Sequence, residues 1–211
     1  MNFFKKIILP PLVLTLICAA IALMLGYVNA VTTGPIADAE ARAKEEAIRA
    51  IFPNAAEVTA GELPEESYDS VKINAFYTVK DASGLIGCAV NVTVGSGYGG
   101  EINMTVGVTP DGKVKGVEIV SHSETAGLGA RIDEPSFRER FVGISGYAGI
   151  GENVDAISGA TISSKAVAAG VTAALDAASL YYDSNPYGGE ETGPVPNETA
   201  FYGTVFSEVV L

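Results

Sequence analysis

The chain has 211 residues, 48% of them hydrophobic and 18% charged, with a formal net charge of -12 at pH 7. That acidity repels nucleic-acid phosphates and excludes DNA or RNA as an expected partner. One histidine and two cysteines leave no His-rich metal site and no disulfide framework, so no metal is expected.

The length suits one ordinary domain plus an anchor, not two large domains. Residues 1–6 are short and basic through Lys5 and Lys6, and residues 7–28 then carry no charge. A run of that length can span a bilayer as one helix. Its positive flank predicts a cytoplasmic N-terminus and an extracytoplasmic remainder. Pro10 and Pro11 fall in the first turn, where proline does least harm. Val28-Asn29-Ala30 resembles a signal-peptide cleavage site, but the apolar run is long for one, which favours a retained anchor over residues 1–30. Ile17 stands before Cys18 where a lipid-attachment signal has a small residue.

Residues 33–52 read as a helix, with Ala37, Ala41, Ala47, Ile48 and Ile51 on related faces. Gly34-Pro35 is expected to open it and Pro53 to close it. Strands are predicted over 75–79, 85–94, 102–108 and 114–120, with turns at Asp81-Ala82-Ser83-Gly84 and Pro110-Asp111-Gly112. Ile102, Met104, Val106 and Val108 alternate, so an antiparallel meander with one buried face is expected. A short helix over 134–142 opens near Pro135, and a glycine-rich loop fills 143–151. A helix over 163–182 offers Val167, Val171, Ala174, Leu175, Ala178 and Leu180 to the core. The fold class is α+β, an antiparallel sheet covered by helices over 31–182. Residues 183–211 form an acidic Gly/Pro-containing tail, with a linker over 188–199 and an apolar stretch over 201–211 suited to an edge strand.

Chemistry concentrates in Asp155-Ala156-Ile157-Ser158-Gly159-Ala160-Thr161, which runs straight into the last helix. Small residues let another molecule approach Thr161 closely. The helix N-terminus presents unpaired N–H groups and a positive dipole end, suited to a phosphate. Ser163 and Ser164 add hydroxyls. The same residues also suit an ordinary arrangement in which Thr161 caps its helix and Ser158-Gly159 makes a turn.

The heptapeptide resembles the flavinylation sequence of the covalent FMN-binding domain family. His122-Ser123-Glu124-Thr125-Ala126-Gly127-Leu128-Gly129 is similar to that family's His-x-Glu-Thr-Pro-Gly-Leu-Gly segment, with alanine in place of proline at 126. Gly97-Tyr98-Gly99-Gly100 resembles its Gly-Tyr-x-Gly turn. The resemblance implies FMN carried covalently on Thr161 through a phosphoester, placed there by a flavin transferase that reads Asp155, Ser158, Gly159, Ala160 and Thr161. It further implies Glu124, Thr125, Gly127, Leu128 and Tyr98 as neighbours of the flavin ring. Glu124 and Thr125 are suited to its polar edge, Leu128 to a ring face, and His122 to orienting the loop.

By the same resemblance, the expected role is electron transfer as the G subunit of a membrane-bound, ion-translocating ferredoxin:NAD oxidoreductase of Rnf type, alongside other membrane subunits. The alternatives are the C subunit of a sodium-pumping NADH:quinone reductase, a free-standing extracytoplasmic flavoprotein, or an anchored binding module without a cofactor. No Gly-x-Gly-x-x-Gly leads from a strand into a helix, since Gly95-Ser96-Gly97-Tyr98-Gly99-Gly100 runs into the predicted strand at 102, so direct NADH oxidation by this chain is not expected. The flavin does the redox work and the chain supplies no catalytic residue of its own.

Overall fold

The structure, a computed structural model, describes residues 9–61 and 70–184. The expected linker over 188–199, the apolar stretch over 201–211 and the basic flank over 1–6 lie outside the described residues.

A single helix, α1, runs over Leu9–Ile51. The start expected at Gly34-Pro35 is not there: Pro35 lies inside the helix. A proline removes one backbone hydrogen bond and crowds one carbonyl, which long helical segments on both sides can override. Two threonines serve carbonyls in the preceding turns. Thr32 Oγ1 donates to the Val28 carbonyl at 2.7 Å and Thr33 Oγ1 to that of Asn29 at 2.7 Å. The expected stop holds, because the position before Pro53 disfavours helical backbone. The helix is long and apolar enough to cross a membrane, with a mean hydropathy of 2.3 over its best window.

Five strands follow: β1 (Glu57–Ala60), β2 (Val71–Asp81), β3 (Gly84–Val94), β4 (Ile102–Val108) and β5 (Val114–His122). They form one sheet in chain order, every pair antiparallel. β1 is not predicted by the sequence; at four residues it is too short for alternation to show. A 3₁₀ turn (Gly129–Asp133), the short helix α2 (Pro135–Arg138) and a second 3₁₀ turn (Glu139–Phe141) lead to α3 (Thr161–Ser184).

Ile102, Met104, Val106 and Val108 are fully buried and share one core with Val90, Val92, Val94 and the inner face of α3. α3 sits close over β3 and β4 at Gly170, where an added Cβ would stand 2.8 Å from Val94 Cγ2 and 2.9 Å from Met104 Cε. Val167, Val171, Ala174, Leu175 and Ala178 are buried as expected. Leu180 is not: it is 37% exposed, because two helical steps past Ala178 carry its side chain about 200° around the axis.

The sheet is buried on both faces, not one. The end of α1 crosses the second face, where Ile48, Ile51, Phe52, Val79 and Ala89 make a separate cluster. Gly107 and Gly116 pair across β4 and β5 beneath it. A Cβ on Gly107 would lie 2.3 Å from Ile51 Cγ2 and 2.8 Å from Phe52 Cε2. These glycines are the flat place on which the helix end rests. On the same face Asn91 is fully buried. Its amide donates to Asn103 Oδ1 at 3.0 Å and Thr105 Oγ1 at 3.1 Å, and its own Oδ1 accepts from Asn74 at 3.1 Å. Each buried group in this network has partners, so burial carries no unsatisfied penalty.

Cys88 lies on the α3 side with no exposure. Burial pushes its thiol from an ordinary 9.0 up to about 12, against a weaker opposing effect of hydrogen bonding with Tyr182 and Val108. The folded state therefore holds a proton that the unfolded chain releases near pH 9. The stability this contributes is fully present below pH 9 and is lost as pH rises from 9 towards 12, at no more than about 1.4 kcal/mol per pH unit. Urea unfolding followed across that range shows the decline in wild type and a shallower one in Cys88→Ala; parallel slopes would refute it.

Candidate functional site

The site is built where the chain enters α3. The Ala160 N–H donates to the Ile157 carbonyl at 2.9 Å, closing a turn with Ser158 and Gly159 at its centre. Gly159 has φ of 80°, the left-handed region that the third position of a type II turn requires. The Ala160 carbonyl then accepts the first helical bond, from Ser164 N at 2.9 Å. Ala160 is thus the N-cap, and its methyl group cannot cap. Thr161 is the first residue inside the helix and is exposed. The capping role that the sequence leaves open for Thr161 is therefore not the one it plays. It stands beside a helix end at which, among the described residues, no side chain caps the first N–H groups.

The two serines turn inward. Ser164 is fully buried; its Oγ accepts from Ile157 N at 3.0 Å and donates to the Ala160 carbonyl at 2.9 Å, pinning the turn to the helix. Ser163 is 1% exposed and donates to Glu124 Oε2 at 2.7 Å.

Glu124 is the meeting point of all three segments. It is buried, and its Oε1 accepts from Gly99 N at 3.2 Å. Its own N–H donates to His122 Nδ1 at 3.1 Å, so the histidine orients the loop. The sequence suggests Glu124 for the polar edge of a ring. The structure instead directs both of its carboxylate oxygens at the protein.

Glycines make room for that carboxylate. A Cβ on Gly97 would lie 2.6 Å from Glu124 Oε1, and one on Gly129 would lie 2.3 Å from Oε2. The sequence does not single out either glycine as a site residue, although both lie inside the motifs. The Thr125 carbonyl accepts from Leu128 N at 3.2 Å and from Ala130 N at 3.1 Å, folding the loop, and Gly127 takes φ of 76° within it.

The segments that meet at Glu124 carry exposed apolar side chains. Ile162 is 52% exposed, Leu128 52% and Tyr98 71%. A Cβ on Gly159 would stand 3.7 Å from Leu128 Cδ2, so the loop and the turn touch at the rim. Asp155 is exposed, and its carbonyl accepts from Arg140 Nη1 at 2.8 Å. Arg140 is not anticipated from the sequence, because its contact spans a loop that no periodicity reports. A groove of about 540 Å³ runs along the flank of α3 past Tyr147, Lys165 and Thr172. None of its lining residues is among those the motifs name.

Residues 97–176 match the family model of the FMN-binding domain, a span that holds all three segments. Over 183 residues the chain is 30% identical to the G subunit of the Na(+)-translocating ferredoxin:NAD(+) oxidoreductase complex of Acetobacterium woodii, covering 78% of this chain and 87% of that one. This chain belongs to the G-subunit family of ion-translocating oxidoreductase complexes. Another family member, the G subunit from Methanosarcina acetivorans, is 32% identical over 184 residues, covering 83% and 96% of the two chains. Among solved structures, Shewanella oneidensis NqrC is 26% identical, with a TM-score of 0.44 over 59% of this chain and 67% of its own.

Proposed function

We propose that this chain passes electrons through an FMN held covalently on Thr161, within a membrane-bound ferredoxin:NAD oxidoreductase of Rnf type. The observation that carries the reading is the exposed Thr161 at the start of α3, behind a turn of small residues. The family match and the relatives' names support the cofactor and the complex.

The residues present fit the group. Thr161 would hold its phosphate, and the first-turn N–H groups of α3 would stabilise the remaining charge, typically by about 0.3–1 kcal/mol for an exposed helix end. Leu128, Ile162 and Tyr98 would cover the ring, and Thr125 is the residue left free for its polar edge. FMN supplies one- and two-electron redox chemistry when bound; the chain binds and orients it.

Attachment by a flavin transferase balances with FAD as donor. The Thr161 oxygen forms a bond to the FMN phosphorus, the anhydride bond to AMP breaks, and the hydroxyl proton is released. Asp155, Ser158 and Gly159 are exposed, where a transferase can read them, while Ala160 is buried beneath the turn.

In this reading α1 is the membrane anchor, its N-terminus is cytoplasmic and the FMN domain is extracytoplasmic, which the basic flank at Lys5 and Lys6 supports. Other membrane subunits supply and receive the electrons. The test is intact mass with in-gel flavin fluorescence on the full chain made with a flavin transferase. A gain of FMN less one water supports the reading. No gain beside a competent transferase rejects it in favour of an anchored module without flavin.

A further inference from the structure

Glu124 is buried at the centre of the site and touches each segment that builds it. One oxygen takes the Gly99 N–H at 3.2 Å and the other takes the Ser163 hydroxyl at 2.7 Å. Its backbone N–H is held by His122 at 3.1 Å. Each oxygen thus has a partner of its own on a different segment. The space around it is tailored to its size. Side chains at 97 or 129 would overlap it, at 2.6 Å and 2.3 Å from its oxygens. Three stretches distant in sequence therefore share one anchor: the glycine turn after β3, the loop after β5 and the first turn of α3.

We infer that Glu124 is a positioning residue that locks the start of α3 against the two loops, and so presents the Thr161 hydroxyl for flavin attachment. Ser163 stands two residues from Thr161 in the same helical turn. The Glu124–Ser163 bond fixes the rotation and depth of that turn, and with it the direction in which Thr161 points. The Gly99 bond fixes Tyr98 and the turn that borders the same rim. Group transfer is sensitive to such placement: a displacement of about 1 Å can cost about a hundredfold in rate.

The inference rests on the proposed attachment at Thr161, and the test separates the two. The full chain in detergent, made without flavin, is incubated with a flavin transferase and FAD, and loading is followed by mass. Glu124→Ala removes both ties and is expected to load about a hundredfold more slowly; Ser163→Ala removes one and is expected to load about tenfold more slowly. Glu124→Gln keeps an acceptor for Gly99 and gains a donor that the Ser163 hydroxyl can accept, so it should load close to wild type. The losses fall on kcat, with the KM for FAD unchanged.

A readout without flavin accompanies them. Amide exchange at residues 97–100 and 161–164 of the flavin-free chain speeds up in Glu124→Ala and Ser163→Ala and stays slow in Glu124→Gln. Equal loading and equal exchange in all four chains overturns the inference. So does a Glu124→Gln as slow as Glu124→Ala, which would make the charge, not the tie, the agent. If wild type takes up no flavin, the attachment reading fails and the exchange pattern alone decides whether Glu124 is the lock. Should Glu124→Ala fail to fold, Ser163→Ala and Glu124→Gln carry the comparison.

Discussion

Thr161→Ala chains made with a flavin transferase gain no FMN mass and show no fluorescent band, while their stability stays within about 0.5 kcal/mol of wild type. The second half of that expectation comes from the helix start. An N-cap threonine costs about 0.5–2 kcal/mol when replaced by alanine. Thr161 is not the cap: Ala160 is, because its carbonyl accepts the first helical bond from Ser164. Alanine is also the best helix former, so the substitution is neutral to mildly favourable for α3. Loss of flavin without loss of stability identifies the attachment residue. Retained flavin would move the linkage elsewhere, and a drop of more than about 1 kcal/mol would restore Thr161 to a structural role.

The largest effect on stability is expected at the other end of the molecule. Phe52→Ala should destabilise the domain by about 3–5 kcal/mol, a large part of the roughly 5–15 kcal/mol typical of a whole domain. Phe52 is 1% exposed, at the end of α1. Its ring packs where Gly87 and Gly107 leave no room for a Cβ, with Lys115 Nζ 5.2 Å from its centroid on the open side. The flat glycine floor cannot rise to fill the void, so the cavity persists. Gly107→Ala perturbs the same contact from below and should cost about 1–3 kcal/mol by overpacking. Denaturant unfolding of the full chain in detergent checks both. A Phe52→Ala loss under about 1 kcal/mol would mean that the helix end does not pack on the sheet.

The sheet is legible in the sequence where alternation is strong. β4 has its predicted bounds, and β3 and β5 differ by one or two residues at a single end, because Ile102 to Val108 and their neighbours alternate cleanly between turns rich in Gly, Asp and Pro. The second buried face is not legible. Its floor is Gly107, Gly116 and Ala89, residues that read as gaps in a pattern, and its cover comes from a helix more than thirty residues upstream. The continuity of the helix through Pro35 is hidden because proline is a local signal and the flanking helical segments outweigh it. At the site the motifs fall on segments that the fold brings together at Glu124, and they point to the G-subunit family. What they do not convey is direction. Ser163, Ser164 and Glu124 suggest a ligand-facing set and instead face each other and the backbone. Facing depends on which turn meets which helix, and that is a tertiary fact.

α1 has one further consequence. It is continuous over 43 residues, and its far end is buried in the domain core. With about 20 residues inside the bilayer, a helix of this kind fixes azimuth as well as height: each residue adds about 1.5 Å and turns the domain by about 100°. If α1 is anchored as proposed, the compass bearing of the Thr161 rim relative to neighbouring subunits is written in the number of residues between anchor and sheet. Two extra residues after Pro35 would swing the rim to nearly the opposite side, whereas seven would raise it by about 10 Å and leave its bearing almost unchanged.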